Sequence, residues 1–311
     1  MGIDRPDDPD VPPDKQSDHP AHRAPPETRS HEEYYADLRA AVALQERTEP
    51  ATGAEPGVQT ENDTQAHPGT SWEETAELSR WMWSEYKRRW PPEERTPADR
   101  SKDVPGPWHG DGDRVLRPSD NERIVAQCDR IADLEREKIT PALRAIESQD
   151  PRRHLVGLKD CVKGHDRIGE KVAKSMAEKG LSADEAISRV PDAIRYTLQY
   201  DEAQYTQGVI ADIGRMKMQD FKLDILKNSW SSDQYKGINS QWIEPETGQR
   251  FEVQFHTRIS FEAKQITHDA YERQRTLKAD KFEGMVLEAF QKKVSAEVPI
   301  PPGATDIPDY P

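Results

Sequence analysis

Cysteine, long apolar runs and surplus positive charge are all scarce in this chain of 311 residues, and each shortage excludes something. The two cysteines, Cys128 and Cys161, fall on different predicted elements without metal-like spacing, so neither a disulfide framework nor a zinc knuckle is indicated. That usage suits a reducing compartment. Hydrophobic residues make up only 33%, so much of the chain cannot be core. No run approaches the length that crosses a bilayer, and the N-terminus lacks the basic start and apolar centre of a signal peptide. No membrane partner is implied, and the expected location is cytoplasmic, or reached by an export route without a classical signal peptide. The net charge of -14 argues against an extended nucleic-acid surface, because such affinity comes from clustered Lys and Arg. Any phosphate must be met by a few focused cations.

What is present divides unevenly. Residues 1–70 form an acidic, Pro-rich leader expected to be mostly disordered, apart from a short amphipathic pattern over residues 31–45. Residues 71–118 hold a Trp-rich helix and a connector. Ser71 and Glu74 have the spacing of a reciprocal helix cap, and Trp72, Trp81, Trp83 and Trp90 are expected to cover the main domain. Residues 119–298 carry the main domain, opened by a second capping pattern over residues 119–122, and residues 299–311 form a Pro-rich tail. Thr140-Pro141 either kinks the first helix or begins another. A helix over residues 166–179 closes at Gly180, and Ser182 with Glu185 caps the next.

The period then changes. Ile194, Tyr196, Leu198 and Tyr200 alternate with Arg195, Thr197 and Gln199, which predicts a strand, and a helical stripe follows over residues 205–216. Residues 221–225 alternate again. Residues 238–243 and 250–257 read as a hairpin turning at 245–248, and two further helices end the pattern. The fold class is α+β: a mixed sheet of four to five strands covered by helices.

On the last strand, Phe251, Val253 and Phe255 enter the core, leaving Glu252, Gln254 and His256 on the opposite face. Lys163, Arg167 and Lys171 surround the start of a helix, a natural seat for phosphate. Asp192 opens the first strand. Converging with Glu252, it would hold magnesium, which needs few protein ligands when phosphates supply the rest. His256 and His268 lack the compact spacing of zinc ligands.

These residues carry a resemblance. Residues 159–275 resemble the synthetase domain of the RelA/SpoT family, alarmone synthetases that transfer pyrophosphate from ATP to a nucleotide 3′-hydroxyl. The family's R-x-K motif and its second Lys match Lys163 and Lys171, and its magnesium-binding Asp matches Asp192. Its G-Y-x-S-x-H segment corresponds to residues 237–242, its E-x-Q-x-R-T strand to residues 252–257, and its following helix to Glu262-Ala263 and His268. The resemblance implies Asp192 and Glu252 as catalytic and magnesium-holding residues. It places Lys163, Arg167, Lys171, Tyr235, Gly237, Ser240, Gln254, His256 and His268 around the nucleotides.

It also implies ATP and an acceptor nucleotide as partners, and a stand-alone or toxin-like enzyme with a neutralising or regulatory protein partner. Cys161 replaces the family's first Arg, so Lys159 or Arg167 is expected to substitute. Ile238 and Trp242 replace its Tyr and His, leaving Tyr235 or Trp242 to stack on the acceptor base, and Arg195 falls where the family prefers a small residue. Two other readings stay open: a nucleotidyl- or phosphotransferase on the same metal site, and a degenerate nucleotide-binding module.

Overall fold

The computed structural model describes residues 71–89, 106–110, 114–276 and 281–310. The predicted leader over residues 1–70, including the pattern at 31–45, and Trp90 lie outside the described residues. The chain passes through α1 (Trp72–Arg89), β1 (Trp108–His109), β2 (Val115–Leu116), α2 (Pro118–Leu134), a π-turn (Glu135–Ile139), α3 (Thr140–Glu147) and β3 (Arg153–Val156). It continues through α4 (His165–Lys179), α5 (Ala183–Ser188), β4 (Arg195–Tyr200), α6 (Tyr205–Met218) and β5 (Lys222–Asn228). The hairpin β6 (Ile238–Ile243) and β7 (Arg250–Thr257) then leads to α7 (Arg258–Thr276) and α8 (Lys281–Ala296).

The fold is α+β, with a mixed five-stranded sheet in the order β3-β4-β7-β6-β5. Only β4 and β7 pair in parallel; every other neighbour is antiparallel. Alternation decides the faces. Tyr196, Leu198, Tyr200, Phe251, Val253 and Phe255 are buried on one side, each worth about 1.5–3 kcal/mol by area. A charged cluster pins α3, β3, β4 and α6 together, because Arg153 and Tyr200 donate to Asp212 at 2.6 and 2.8 Å while Arg153 also donates to the Ile146 carbonyl.

Two of the three expected reciprocal caps form. Ser71 with Glu74 and Ser182 with Glu185 form reciprocal caps. The pattern at 119–122 does not cap α2, which begins one residue earlier with Pro118, whose missing N–H costs nothing in a first turn. Pro141 neither breaks nor sharply restarts the helix. Lacking an N–H, it is absorbed by the π-turn just before it, where Thr140 N–H reaches the Glu135 carbonyl.

The Trp-rich α1 packs on α7 and α8: Trp72 Nε1 donates to Glu262 at 2.7 Å and Trp83 stacks on Phe290 at 5.7 Å. Trp81 remains half exposed. The connector contributes a fully buried Trp108, which lies against Gly169 of α4 and donates to Asp166 at 3.2 Å. The Pro-rich C-terminal segment lies along the sheet edge. Tyr310 exchanges backbone hydrogen bonds with Leu226 of β5, and Asn228 donates to the Ala304 and Ile307 carbonyls. An edge strand that would otherwise present unpaired backbone groups is thereby covered. Among the described residues, no helix is long and apolar enough to cross a membrane.

The β6–β7 hairpin is closed by one carboxylate. Fully buried Glu244 accepts from Lys138 at 2.6 Å, from Thr247 Oγ1 at 2.6 Å and from the backbone N–H groups of Glu246 and Thr247. Burial opposes its charge, but the Lys138 ammonium and these donors prevail and hold the carboxyl down at about 2. A depressed folded value stabilises above the ordinary value of 4.5, and that contribution is lost as pH falls through about 2. Glu244→Ala strands these donors and is expected to cost about 2–3 kcal/mol by urea denaturation near neutral pH. The gap between wild type and Glu244→Gln should shrink as acid is added, and a pH-independent gap would contradict this account.

Candidate active site

Opposite the core, the pleat and register place Arg195 beside Glu252 and Thr197 beside Gln254 on the parallel pair. On the other side of β7, Gln241 faces Glu252 and Asn239 faces Gln254. Asp192 sits just before β4. Lys163 is brought to it by a short antiparallel zip: Val162 bridges Ile194, Lys163 N–H reaches the Ala193 carbonyl at 2.9 Å, and Arg195 N–H reaches the Cys161 carbonyl at 2.7 Å. Lys171, in the second turn of α4, arrives from above.

The structure gathers Lys163, Lys171, Asp192 and Glu252. Lys171 Nζ holds both Asp192 oxygens at 2.6 Å, and Lys163 Nζ lies 3.1 Å from Oδ2. Burial alone would raise the Asp192 carboxyl, but the two ammonium groups outweigh it and hold it below the ordinary value. Glu252 moves the other way. Burial and then the negative charge of Asp192 push it up, against the Gln254 amide donation and the charges of Arg195 and Lys264. The acids are therefore within electrostatic reach of one another, at one end of the polar face.

Gln254 joins this group as a relay, donating to Glu252 and accepting from Lys264 Nζ. Lys264 and Arg195 are cations of the site that the motif reading did not place there. Burial and the Arg195 charge bring the Lys264 ammonium down to about 8, with Lys163 adding to the fall and Glu252 opposing it. His268, one turn further along α7, is half-buried and lowered by burial, with Lys264 and Arg195 among the charges that act on it. That four-residue spacing was the available signal: a side chain one turn before His268 shares its helix face.

Other candidates lie elsewhere. Arg167 and Lys159 are exposed, and neither makes an ion pair with a described residue. Cys161 is buried, with a thiol pushed up to about 11 mainly by burial, and it donates to Glu135. Ser240 points into the core, donating to the Val253 carbonyl and accepting from Trp242 Nε1, each at 2.8 Å. Ile238 and Trp242 are fully buried there as well, so neither offers a face to a ligand.

His256 braces the floor beneath the site. Fully buried, its ring nitrogens meet Tyr235 Oη and Ser260 Oγ, each at 2.9 Å, and Tyr235 donates onward to Asn239 at 2.8 Å. Burial holds the imidazole neutral. The Tyr235 hydroxyl is raised by burial and by the Glu252 charge. Gly237 is where the backbone passes this ring. At φ 147°, an added Cβ would lie 2.6 Å from His256 Cε1.

No family model matches the sequence. No curated protein matches it either. Among solved structures, small alarmone synthetase 1 from Bacillus subtilis bound to its product pppGpp aligns at 14% identity over 56% of this chain and 91% of that one, with a TM-score of 0.39. Small alarmone synthetase 2 from the same organism gives 11% identity over 56% and 90%, with a TM-score of 0.37. A GTP pyrophosphokinase family protein from Streptococcus pneumoniae gives 16% over 53% and 84%, with a TM-score of 0.38. The chain is similar to these proteins in outline. Its chemistry has to be read from its own side chains.

Gly237→Ala forces a side chain into both an unfavourable backbone region and the His256 ring. The expected cost is about 2–5 kcal/mol in the denaturant midpoint, and an unchanged midpoint would refute the close packing described.

Proposed function

We propose that this chain transfers a pyrophosphoryl group from ATP to the 3′-hydroxyl of an acceptor nucleotide, with magnesium. The observation that carries the reading is Asp192 held between Lys163 and Lys171 with Glu252 in electrostatic reach. In a chain of net charge -14, any phosphate would have to be met by a focused group of cations, and this cluster supplies one. The RelA/SpoT resemblance and the alarmone synthetases among the structural neighbours agree with it.

The donor set suits magnesium. Among the described residues no group of three or more His, Cys, Asp or Glu forms a ready metal cage. Magnesium seldom uses such cages, taking one or two carboxylates and filling its shell from water and phosphate. Asp192 and Glu252 would hold it, once Lys171 turns from Asp192 toward phosphate. Bound there, the ion would neutralise phosphate charge and relieve the repulsion between the two acids.

The chain's own residues have four tasks in this scheme. Lys163 and Lys171 bind the triphosphate. Glu252, whose protonated form is favoured by burial and Asp192, accepts the hydroxyl proton and passes it to water. The acceptor oxygen bonds to the β-phosphorus, the bond from that phosphorus to the α–β bridging oxygen breaks, and AMP leaves with the bonding pair. Tyr235 would be the aromatic ring available to an acceptor base, and His256 fixes that ring through its hydroxyl. Alignment and charge compensation are the main demands of such a transfer.

Incubation with labelled ATP, magnesium and guanine, adenine or RNA acceptors should yield AMP and a pyrophosphorylated product. Asp192→Asn and Glu252→Gln are each expected to lower kcat by at least about 100-fold. Activity surviving in both would overturn the reading, and release of pyrophosphate in place of AMP would assign nucleotidyl transfer instead.

A further inference from the structure

Two cations of the site form no direct ion pair, although the single charge of Glu252 acts on both. Arg195 and Lys264 are both half-buried, and neither makes an ion pair with a described residue. Lys264 Nζ is bound by the neutral amide oxygen of Gln254 and lies 5.4 Å from the centre of the Phe261 ring. Arg195 stands in register beside Glu252, whose carboxylate already accepts from Gln254. Two fully buried charges elsewhere in the fold are matched: Arg153 lies against Asp212, and Glu244 collects Lys138 with two backbone donors. Two partly desolvated cations beside one shared carboxylate leave positive charge unmatched, which an anionic ligand would meet.

Their position says which part of the ligand. Lys163 and Lys171 come from the zip before β4 and from α4, on the Asp192 side. Arg195 and Lys264 come from β4 and α7, on the side where Glu252 and Gln254 line the sheet. We infer that Arg195 and Lys264 form the second half of a phosphate cradle and grip the pyrophosphoryl group being transferred, opposite the Lys163 and Lys171 pair. They supply the positive charge that Cys161 cannot, from positions on the sheet and on α7 that no motif reading assigned. Arg195 presents a planar fork suited to two phosphate oxygens, and Lys264 a point charge held in place by Gln254. The inference rests on the pyrophosphokinase reading.

The test uses the full chain with magnesium and measures binding calorimetrically for inorganic pyrophosphate, AMP and a non-hydrolysable ATP analogue. Lys264→Met and Arg195→Gln are each expected to weaken pyrophosphate and the ATP analogue about tenfold or more, while AMP, which lacks the gripped group, changes less than about twofold. Turnover should fall in step, and Lys264→Arg should recover most of it. Because Lys264 is partly buried, melting temperatures are compared first; if Lys264→Met unfolds, Lys264→Gln and Arg195→Lys carry the comparison. A wild-type chain that binds the ATP analogue, with variants that bind pyrophosphate equally well, overturns this inference alone. A wild-type chain that binds neither analogue nor pyrophosphate removes the pyrophosphokinase reading beneath it.

Discussion

The parallel register between β4 and β7 is the constraint from which the site follows. Glu252 N–H reaches the Ile194 carbonyl at 2.9 Å, and that bond sets Arg195 against Glu252 and Thr197 against Gln254. Side chains repeat every second residue along a strand, so a slip of one position would send Glu252 into the core and Phe251 or Val253 into the site. The aromatic core forbids the slip. Phe251, Val253 and Phe255 are buried without remainder against Tyr200, Phe221 and their neighbours, and the site inherits its accuracy from that packing.

A parallel pair cannot be closed by a tight turn, so the chain between β4 and β7 has to travel. Here it makes α6, β5 and the β6 hairpin, and two devices hold that excursion in place. Glu244 closes the hairpin from below with Lys138, and His256 ties the loop before β6 to the start of α7 through Tyr235 and Ser260. Both devices use polar groups that are buried and matched. Each therefore fixes a single arrangement in place of a set of near-equivalent ones, which is what a site built from four separate segments needs.

Strand alternation, the caps at Ser71 and Ser182, and the division of β7 into core and polar faces were legible in the sequence, because each depends on neighbours within a turn or a strand. The α2 start was missed because Pro118 competes with Ser119 for the first turn, and only its position in the helix decides which wins. Ser240 was assigned to the nucleotide through its motif place, yet strand parity puts it on the side of Ile238 and Trp242, where the Val253 carbonyl needs a donor. Lys264 was missed for the opposite reason. Its one signal in the sequence is its place one turn before His268, and its value appears when α7 lies over Gln254. The edge-covering role of residues near Tyr310 likewise depends on meeting β5, far away in the chain.

Two charge clusters in the same domain differ in how fully their groups are matched. Around Asp212, the donors Arg153, Tyr200 and Arg215 converge on one carboxylate, and the remaining Arg153 groups find the Ile146 carbonyl, so nothing is left for a ligand to satisfy. Around Asp192 and Glu252 the sums do not close: the acids repel one another, Lys163 is depressed by burial and by the positive charges of Arg195 and Lys171, and Lys264 leans on a neutral amide. Such an arrangement costs folding free energy that the aromatic core and the matched clusters offset. On the proposed reading, an anion with several negative oxygens, arriving with a divalent cation, would pair the ammonium and guanidinium groups and relieve the repulsion between the two acids at once. Preorganised charge of this kind needs little rearrangement when the ligand binds, which is how electrostatic catalysis lowers a barrier without first paying to orient solvent.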